Sequence, residues 1–285
     1  MDYGSEFRYR DPLIDANTLL VSITQSGETV DTLAAMEEAK NKGAKQITIC
    51  NVLGSQATRV ADGAIITHAG LEIGVAATKT TTAAFTALYL LACYLAKARA
   101  VVDTDGLKTM NDDLARIPHL MGRLLEDTQS YERLANTYFR LNNFMYLGRG
   151  IHYPVALEGS HKLKEISYIH AEAYPAGEMK HGAIALIDEN MPVVAVALRD
   201  HLYDKILSNI EQVKARGGTV IALAAEGDSD LEGKADHVLY VPQAPELLSP
   251  LLTILPLQLL AYYIALRRGC DVDQPRNLAK TVTVE

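Results

Sequence analysis

The chain has 285 residues, of which 48% are hydrophobic and 22% charged, and this favours two α/β domains with ordered cores. The formal net charge of -8 argues against a nucleic-acid surface, because phosphate backbones demand clustered Lys and Arg and the basic residues here form no such block. Any phosphate that the protein binds must be held locally.

The cysteines and the apolar stretches predict a cytoplasmic protein. Cys50, Cys93 and Cys270 are odd in number and lie in separate apolar runs, which is typical of reduced, buried thiols and leaves no metal site. The two most apolar stretches, residues 83–96 and 251–266, are shorter than the roughly 18 residues of a membrane span. We therefore expect two core helices and no membrane partner. The N-terminus has no apolar stretch typical of a signal peptide.

Strand-like and helical patterns alternate along the chain, as in parallel sheets covered by helices. The first series is a strand over residues 18–24, a helix over 30–42, strands over 46–50 and 64–67, and a long helix after Val75. A helical region over residues 107–142 follows. The second series is a strand over residues 144–147, a helix starting near Pro154, a strand over 192–197, a helix over 202–216, strands over 220–224 and 238–241, and a helix after Pro245.

The two series are a duplication. A shift of 174 residues aligns MEEAKNKGAKQITIC, from Met36, with IEQVKARGGTVIALA, from Ile210, and places Asp62 on Asp236. The repeat predicts two tandem three-layer α/β/α units with parallel sheets. Because the first copy starts almost at the N-terminus, we expect it to lack an opening strand and helix, and its sheet to be short by one strand. The predicted domains are residues 1–125 and 126–270, followed by a tail over 271–285.

The copies differ most at the end of one strand. The first has Thr24-Gln25-Ser26-Gly27-Glu28-Thr29, where the second has Leu198-Arg199-Asp200-His201. Ligands of open α/β sheets bind at the carboxyl ends of strands, and hydroxyls with a Gly before a helix suit an anion. The alternative is that Ser26 and Thr29 only cap the helix. The asymmetry between the copies favours a phosphate site.

Several motifs resemble known families. Residues 24–29 resemble the phosphate loop of the sugar isomerase (SIS) family. Residues 69–79 (AGLEIGVAATK), 163–174 (LKEISYIHAEAY), 177–182 (GEMKHG) and 273–280 (DQPRNLAK) resemble the isomerase part of the glucosamine-6-phosphate synthase family. The resemblance covers essentially the whole chain. It implies two tandem flavodoxin-like SIS units, a C-terminal tail over the active site, and no cofactor or metal.

The resemblance also implies roles for individual residues. The sugar phosphate is expected to be held by Thr24, Gln25, Ser26 and Thr29, with Val75 and Ala279 nearby through backbone groups. Glu165 is expected to be the enediol base, Lys162 its support, His181 the ring-opening residue and Lys280 the imine-forming lysine. In the family the His comes from the other subunit of a dimer, so a homodimer is expected.

The chemistry of isomerisation agrees with these roles. A carboxylate near a cation can carry a proton between C1 and C2, and Lys162 and Glu165 are neighbours on one helix face. Each residue also has an ordinary alternative. With Glu158, the pair could be a solvated stripe, His181 could be a loop histidine, and Lys280 could lie in a frayed terminus.

Three features depart from the family pattern. Thr24 replaces the usual Ser and keeps the hydroxyl, whereas Ala77 replaces the usual Ser and loses it. No Cys follows Met1, so we expect the nucleophile of the family's glutaminase domain to be missing from this chain. The strand and helix expected to be missing would carry another hydroxyl-bearing loop of the phosphate site.

Two functions remain open at this point. The first is conversion of fructose 6-phosphate to glucosamine 6-phosphate in amino-sugar biosynthesis, with ammonia supplied by a glutaminase domain. The second is a non-catalytic sugar-phosphate sensor. A sensor needs neither a base nor an imine lysine, so the joint presence of Glu165, His181 and Lys280 favours the enzyme.

Overall fold

The computed structural model describes residues 1–281, so residues 282–285 of the predicted tail lie outside the described part. The chain divides into two compact units. The first comprises residues 1–94 and the tail from Asn277, and the second comprises residues 95–276.

The first unit is built on a three-stranded sheet of order β1-β2-β3, in which neighbouring strands are parallel. Its elements are α1 (Gly4–Phe7), β1 (Leu19–Thr24), α2 (Val30–Asn41), β2 (Lys45–Cys50), α3 (Gln56–Val60), β3 (Gly63–Ile66) and α4 (Lys79–Ala98). The strands β1 and β2 pair from Leu19 with Lys45 to Thr24 with Cys50, which brings their carboxyl ends level. The division between the units falls within α4, after Tyr94.

The second unit is built on a five-stranded parallel sheet of order β5-β4-β6-β7-β8. Its elements are α5 (Thr104–Glu126), α6 (Gln129–Tyr138), β4 (Asn143–Gly148), α7 (His152–Ser167), β5 (His170–Pro175), 3₁₀ turns at Met179–His181 and Ala183–Leu186, β6 (Val193–Val196), α8 (Tyr203–Lys214), β7 (Val220–Ala225), β8 (His237–Val241), a 3₁₀ turn at Glu246–Leu248, and α9 (Ser249–Arg267).

Helices cover both faces of the second sheet. Met145 and Leu147 of β4 lie in one buried cluster with Ile206 and Ile210 of α8. Because successive strand residues point to opposite faces, the fully buried Tyr146 points the other way, where α7 and α9 pack together. The predicted three-layer α/β/α arrangement with parallel strands is therefore confirmed in this unit.

The 174-residue repeat holds at the level of single hydrogen bonds. Shifting β1, α2, β2 and β3 by 174 residues places them, within a residue or two at their ends, on β6, α8, β7 and β8. The backbone N–H of Gln46 donates to Asp62 at 2.8 Å, and the N–H of Val220 donates to Asp236 at 2.7 Å. Gln46 and Val220 are 174 residues apart, as are Asp62 and Asp236. An equivalent aspartate therefore accepts a hydrogen bond from the start of the equivalent strand in each copy.

The prediction that the first sheet is short by one strand is wrong, because the sheets have three and five strands. The strand missed by sequence reasoning is β5. After α7 the chain turns at Tyr168, in the left-handed region with φ 62°, and then pairs with β4. As an edge strand β5 exposes His170 and Glu172, so it lacks the continuous apolar run of a central strand.

The division between the units also differs from the predicted boundaries at residues 125 and 270. The helix α5 packs against α9, so residues 104–126 belong to the second unit. The second unit continues to Arg276, whose backbone N–H donates to the hydroxyl of Tyr168 at 2.9 Å.

Two helices are longer than the apolar stretches predicted from sequence. The 20-residue α4, and α9 with its preceding turn, are long and apolar enough to cross a membrane by length and composition alone. In the most apolar 18-residue stretch of the second helix, 67% of the residues are buried, as expected for a core helix. In the corresponding stretch of α4 only 17% are buried, so the prediction of a buried core helix is wrong there. Cys50 and Cys93 are buried free thiols, as predicted, whereas Cys270 is half-buried.

Candidate functional site

A cleft of about 230 Å³ lies in the first unit where its three strands end. It is lined by Thr24 and Gln25 at the end of β1, by Asn51 after β2 and by Thr67 after β3. Residues of the first turns of α4 close its other side, including Thr80 and Thr81. The carboxyl ends of parallel strands are the usual ligand position in open α/β sheets.

The loop between β1 and α2 presents its hydroxyls in two different ways. The Thr24 hydroxyl accepts a hydrogen bond from the N–H of Gly27 at 3.1 Å, and the Ser26 hydroxyl accepts one from the N–H of Glu28 at 3.2 Å. Thr29 occupies the N-cap of α2, but its side chain makes no capping hydrogen bond. Helix capping therefore does not explain the Thr29 hydroxyl, which leaves a donor and the helix N-terminus for an anion.

Gly27 sets the shape of this loop. It has φ +73°, and a Cβ at this position would lie 2.1 Å from Ser55 Oγ. Its carbonyl accepts a hydrogen bond from the N–H of Ala57 at 3.0 Å, and the Glu28 carboxylate accepts one from the N–H of Gln56 at 2.8 Å. Only a residue without a side chain allows the loop to lie this close to the start of α3.

Asn51 fixes the next loop of the cleft. Its Oδ1 accepts hydrogen bonds from the Thr67 hydroxyl and the Ala69 N–H, both at 2.9 Å. Its Nδ2 donates to the Gly70 carbonyl at 2.8 Å. The segment after β3 is thus held against the end of β2 before the chain reaches α4.

Glu72 and Lys280 meet on that segment, within the first unit. The Lys280 ammonium lies 3.4 Å from Glu72 Oε2 and donates to the carbonyls of Gly74 at 2.9 Å and Val75 at 3.3 Å. Glu72 also accepts hydrogen bonds from the N–H of Thr78 at 2.7 Å and from the hydroxyl of Thr80. Burial by itself would raise the pKa of Glu72, but these bonds and the charge of Lys280 together lower it.

In the second unit, Lys162 and Glu165 meet on α7. Lys162 Nζ lies 2.5 Å from Glu165 Oε2 and 3.4 Å from Glu158 Oε1, and His161 Nε2 lies 3.3 Å from Glu165 Oε1. The side chain of Lys162 is only 5% exposed and that of Glu165 16%. A solvated charged stripe, the ordinary alternative, does not fit this degree of burial.

The environment of Glu165 fixes its charge. Burial by itself would raise its pKa, but the hydrogen bonds and charges of His161 and Lys162 outweigh this and lower the pKa to about 2. The carboxylate is therefore ionised at neutral pH, which is the form that a general base needs. The same low pKa makes it a weak base.

The remaining predicted residues lie apart from these contacts. His181 is exposed and ends the 3₁₀ turn that starts at Met179, and Ala279 is exposed in the tail beside Lys280. The residues predicted for the phosphate, with Val75, Ala279 and Lys280, belong to the first unit, whereas Lys162, Glu165 and His181 belong to the second.

Sequence reasoning missed two partners, Glu72 and His161. Glu72 stands among small and apolar residues in AGLEIGVAATK, and a buried acid in such a run is the signal that could have found it. His161 precedes Glu165 by four residues, which places the two side chains on one helix face.

A further group, Asp200, His201 and Glu246 in the second unit, brings ligand-type atoms within 4.8 Å of one another, with His201 and Glu246 exposed.

The family of the chain is shown by a match to a known domain. The SIS domain family model matches residues 1–94 and 139–268, so the chain belongs to the SIS domain family. Within that family it groups with the C-terminal sugar isomerase part of the glutamine–fructose-6-phosphate aminotransferases, as its relatives show.

Three relatives give the extent of the similarity. The chain is 53% identical over 285 residues to glutamine–fructose-6-phosphate aminotransferase [isomerizing] of Chlorobaculum tepidum, and 51% identical over 284 residues to that of Thermus thermophilus. It covers 46% and 47% of those proteins, so it spans about half their length. A solved structure, the C-terminal domain of glucosamine-fructose-6-phosphate aminotransferase from Francisella tularensis, matches with a TM-score of 0.92 and 40% identity, covering 96% of this chain and 77% of that one.

Proposed function

We propose that the chain is the part of a glutamine–fructose-6-phosphate aminotransferase that binds fructose 6-phosphate and isomerises it. The observation that carries the proposal is the ionised, mostly buried Glu165 beside Lys162. A buried carboxylate next to a cation is the group that moves a proton between C1 and C2 and steadies the enediolate. Amination to glucosamine 6-phosphate then requires ammonia from a glutaminase domain.

The other residues take roles that fit their chemistry. The hydroxyls and backbone N–H groups of residues 24–29 hold the phosphate at the start of α2. Lys280 forms an imine with the keto carbon, and His181 opens the sugar ring. His181 is exposed, which supports a role in which it enters the site of the other subunit of a homodimer. The site of action is the cytoplasm.

Proton exchange tests this proposal. With fructose 6-phosphate in deuterated buffer, we expect the enzyme to form glucose 6-phosphate and to exchange part of a C1 proton for deuterium, both visible by NMR, because some of the abstracted protons exchange with solvent before they reach C2. A calorimetric titration measures sugar binding in the same sample. Binding with neither exchange nor glucose 6-phosphate would reject the enzyme.

A binding-only sugar-phosphate module is the second candidate. The observation that favours it is the low pKa of Glu165, since a carboxylate with a pKa of about 2 is a weak base. Such a module would show the titration signal, no exchange and no dependence on Glu165.

A further inference from the structure

Glu72 is a buried carboxylate that neither the phosphate site nor the proton transfer uses. Its side chain is 3% exposed, whereas that of its partner Lys280 is 26% exposed. Burying an ionised carboxylate is costly unless its oxygens are hydrogen-bonded. Packing alone therefore does not explain a buried carboxylate at position 72.

The carboxylate is held by groups other than Lys280. The N–H of Thr78 donates at 2.7 Å and its hydroxyl at 3.2 Å, and the hydroxyl of Thr80 also donates. Lys79, the first residue of α4, donates instead to the carbonyl of Leu71 at 2.5 Å. The Glu72 carboxylate is therefore held in place by hydrogen bonds from Thr78 and Thr80, and it can form an ion pair with a cation.

Lys280 reaches this anion from the C-terminal tail. Its ammonium has three acceptors, namely Glu72 Oε2 at 3.4 Å and the carbonyls of Gly74 and Val75 at 2.9 and 3.3 Å. In the described part of the chain, Glu72 is the carboxylate at ion-pair distance from Lys280. The tail segment around Lys280 has no helix or strand among its described residues, so these contacts define where the amine lies.

We propose that Glu72 is the positioning residue of Lys280, holding the amine of the tail lysine at a fixed place. This rests on the proposed role of Lys280 as the imine-forming residue. The ammonium first loses one proton to a buffer base. The free amine then adds to the keto carbon, and the carbinolamine loses water to leave the imine, while Glu72 remains a carboxylate throughout.

Two labels separate the position of the amine from its reaction with sugar. Trace acetylation with acetic anhydride at one fixed pH, read at Lys280 by mass spectrometry, reports how accessible the amine is, without any sugar. In Glu72→Gln we expect Lys280 to be acetylated faster than in the wild type, because the amine is no longer held against the loop. Borohydride reduction with fructose 6-phosphate at the same pH should label Lys280 about tenfold less in the variant, because the amine is misplaced.

The control is Asp62→Asn, which removes another carboxylate of the first unit that pairs with a lysine and accepts a backbone N–H. It should move neither readout. Unchanged acetylation and an unchanged borohydride yield in Glu72→Gln, or a loss of thermal stability alone, would overturn the proposal. Should that variant not fold, Thr80→Val, which removes a donor to Glu72 but no charge, is expected to lower the borohydride yield, and an unchanged yield there overturns the proposal. If the acetylation of Lys280 changes but the wild type takes no sugar label there, the imine role fails and the placement by Glu72 stands.

Discussion

At the scale of single residues, burial separates the predicted catalytic pair from an ordinary surface pair. Exposed ion pairs contribute little because water screens them and the side chains lose entropy. Lys162 is 5% exposed, so its charge has to be matched by Glu165 and Glu158. The pair thus has a defined geometry that a reaction can use.

Glu165→Gln keeps the shape of the side chain and removes the base. We expect isomerisation to fall by about 10²-fold or more while sugar binding survives, because proton transfer and phosphate binding use different groups. Steady-state kinetics and a binding titration measure the two effects. Glu211→Gln, at an exposed ion pair on α8, is the matched control and should change neither. Full activity of Glu165→Gln would remove Glu165 from the chemistry.

Lys162→Met should change the pH dependence of the reaction. In the wild type the pKa of Glu165 is about 2, so its ionisation imposes no acid limb near neutral pH. Without the cation, the pKa of Glu165 should rise toward the ordinary value of 4.5, although the hydrogen bond of His161 still lowers it, and the rate should fall as the pH drops through the new value. Lys164→Met, an exposed position on α7, should keep the wild-type profile. An unshifted profile for Lys162→Met would show that Lys162 does not control Glu165.

At the scale of elements, Gly27 determines the shape of the loop after β1, which we propose holds the phosphate. Gly27 and Gly54 have nearly the same φ, +73° and +74°, but a Cβ would collide at Gly27 and meets nothing within 4 Å at Gly54. Replacing each glycine by alanine therefore distinguishes the cost of backbone strain, which both positions carry, from the cost of steric collision, which only Gly27 carries of the two.

Gly27→Ala should weaken fructose 6-phosphate binding and lower the free energy of unfolding by about 1–3 kcal/mol, since both strain and collision oppose the native loop. Gly54→Ala carries only the strain, of about 1 kcal/mol, and should leave binding unchanged. Calorimetric titration and urea unfolding measure both. Equal losses of binding in the two variants would contradict the assignment of residues 24–29 to the phosphate.

Asp236, the equivalent of Asp62 in the second copy, makes the stability of the second unit depend on pH. Burial tends to raise the pKa of Asp236, but the hydrogen bonds of Lys214 and Val220 and the charge of Lys214 outweigh burial and lower it. A carboxylate whose folded pKa is lowered stabilises the fold above the unfolded pKa, and this stability is lost as the pH falls through the folded value.

Asp236→Asn should therefore cost about 1 kcal/mol at pH 7, a figure reduced because the side chain is partly exposed. The difference from the wild type should shrink as the pH falls below the ordinary value of 3.8. Urea unfolding at several pH values measures it. A cost that stays constant into acid would show that the hydrogen-bond geometry, not the charge, matters.

The sequence could predict the elements whose apolar runs are continuous and the loop whose residues differ between the copies. It could not predict β5, because an edge strand with exposed His170 and Glu172 has the composition of a loop. The contact between Glu72 and Lys280 was equally hidden, because the two residues are 208 positions apart along the chain and sequence spacing carries no information about such a contact.

At the scale of the whole molecule, two copies of one unit have come to carry different functional groups. The first carries the phosphate-type loop and the tail lysine, and the second carries the buried Glu165 and Lys162. Duplication with divergence explains why the strand starts remain fastened alike by Asp62 and Asp236 while the loops at the opposite ends differ.

Isomerisation of a sugar phosphate is the activity that we propose for this chain. The most direct test is a coupled assay of the conversion of fructose 6-phosphate to glucose 6-phosphate by the chain itself, without a nitrogen source. We predict turnover that saturates with fructose 6-phosphate and depends on Glu165. Saturable binding of fructose 6-phosphate with no glucose 6-phosphate formed would contradict the claim and leave a sugar-phosphate binding module.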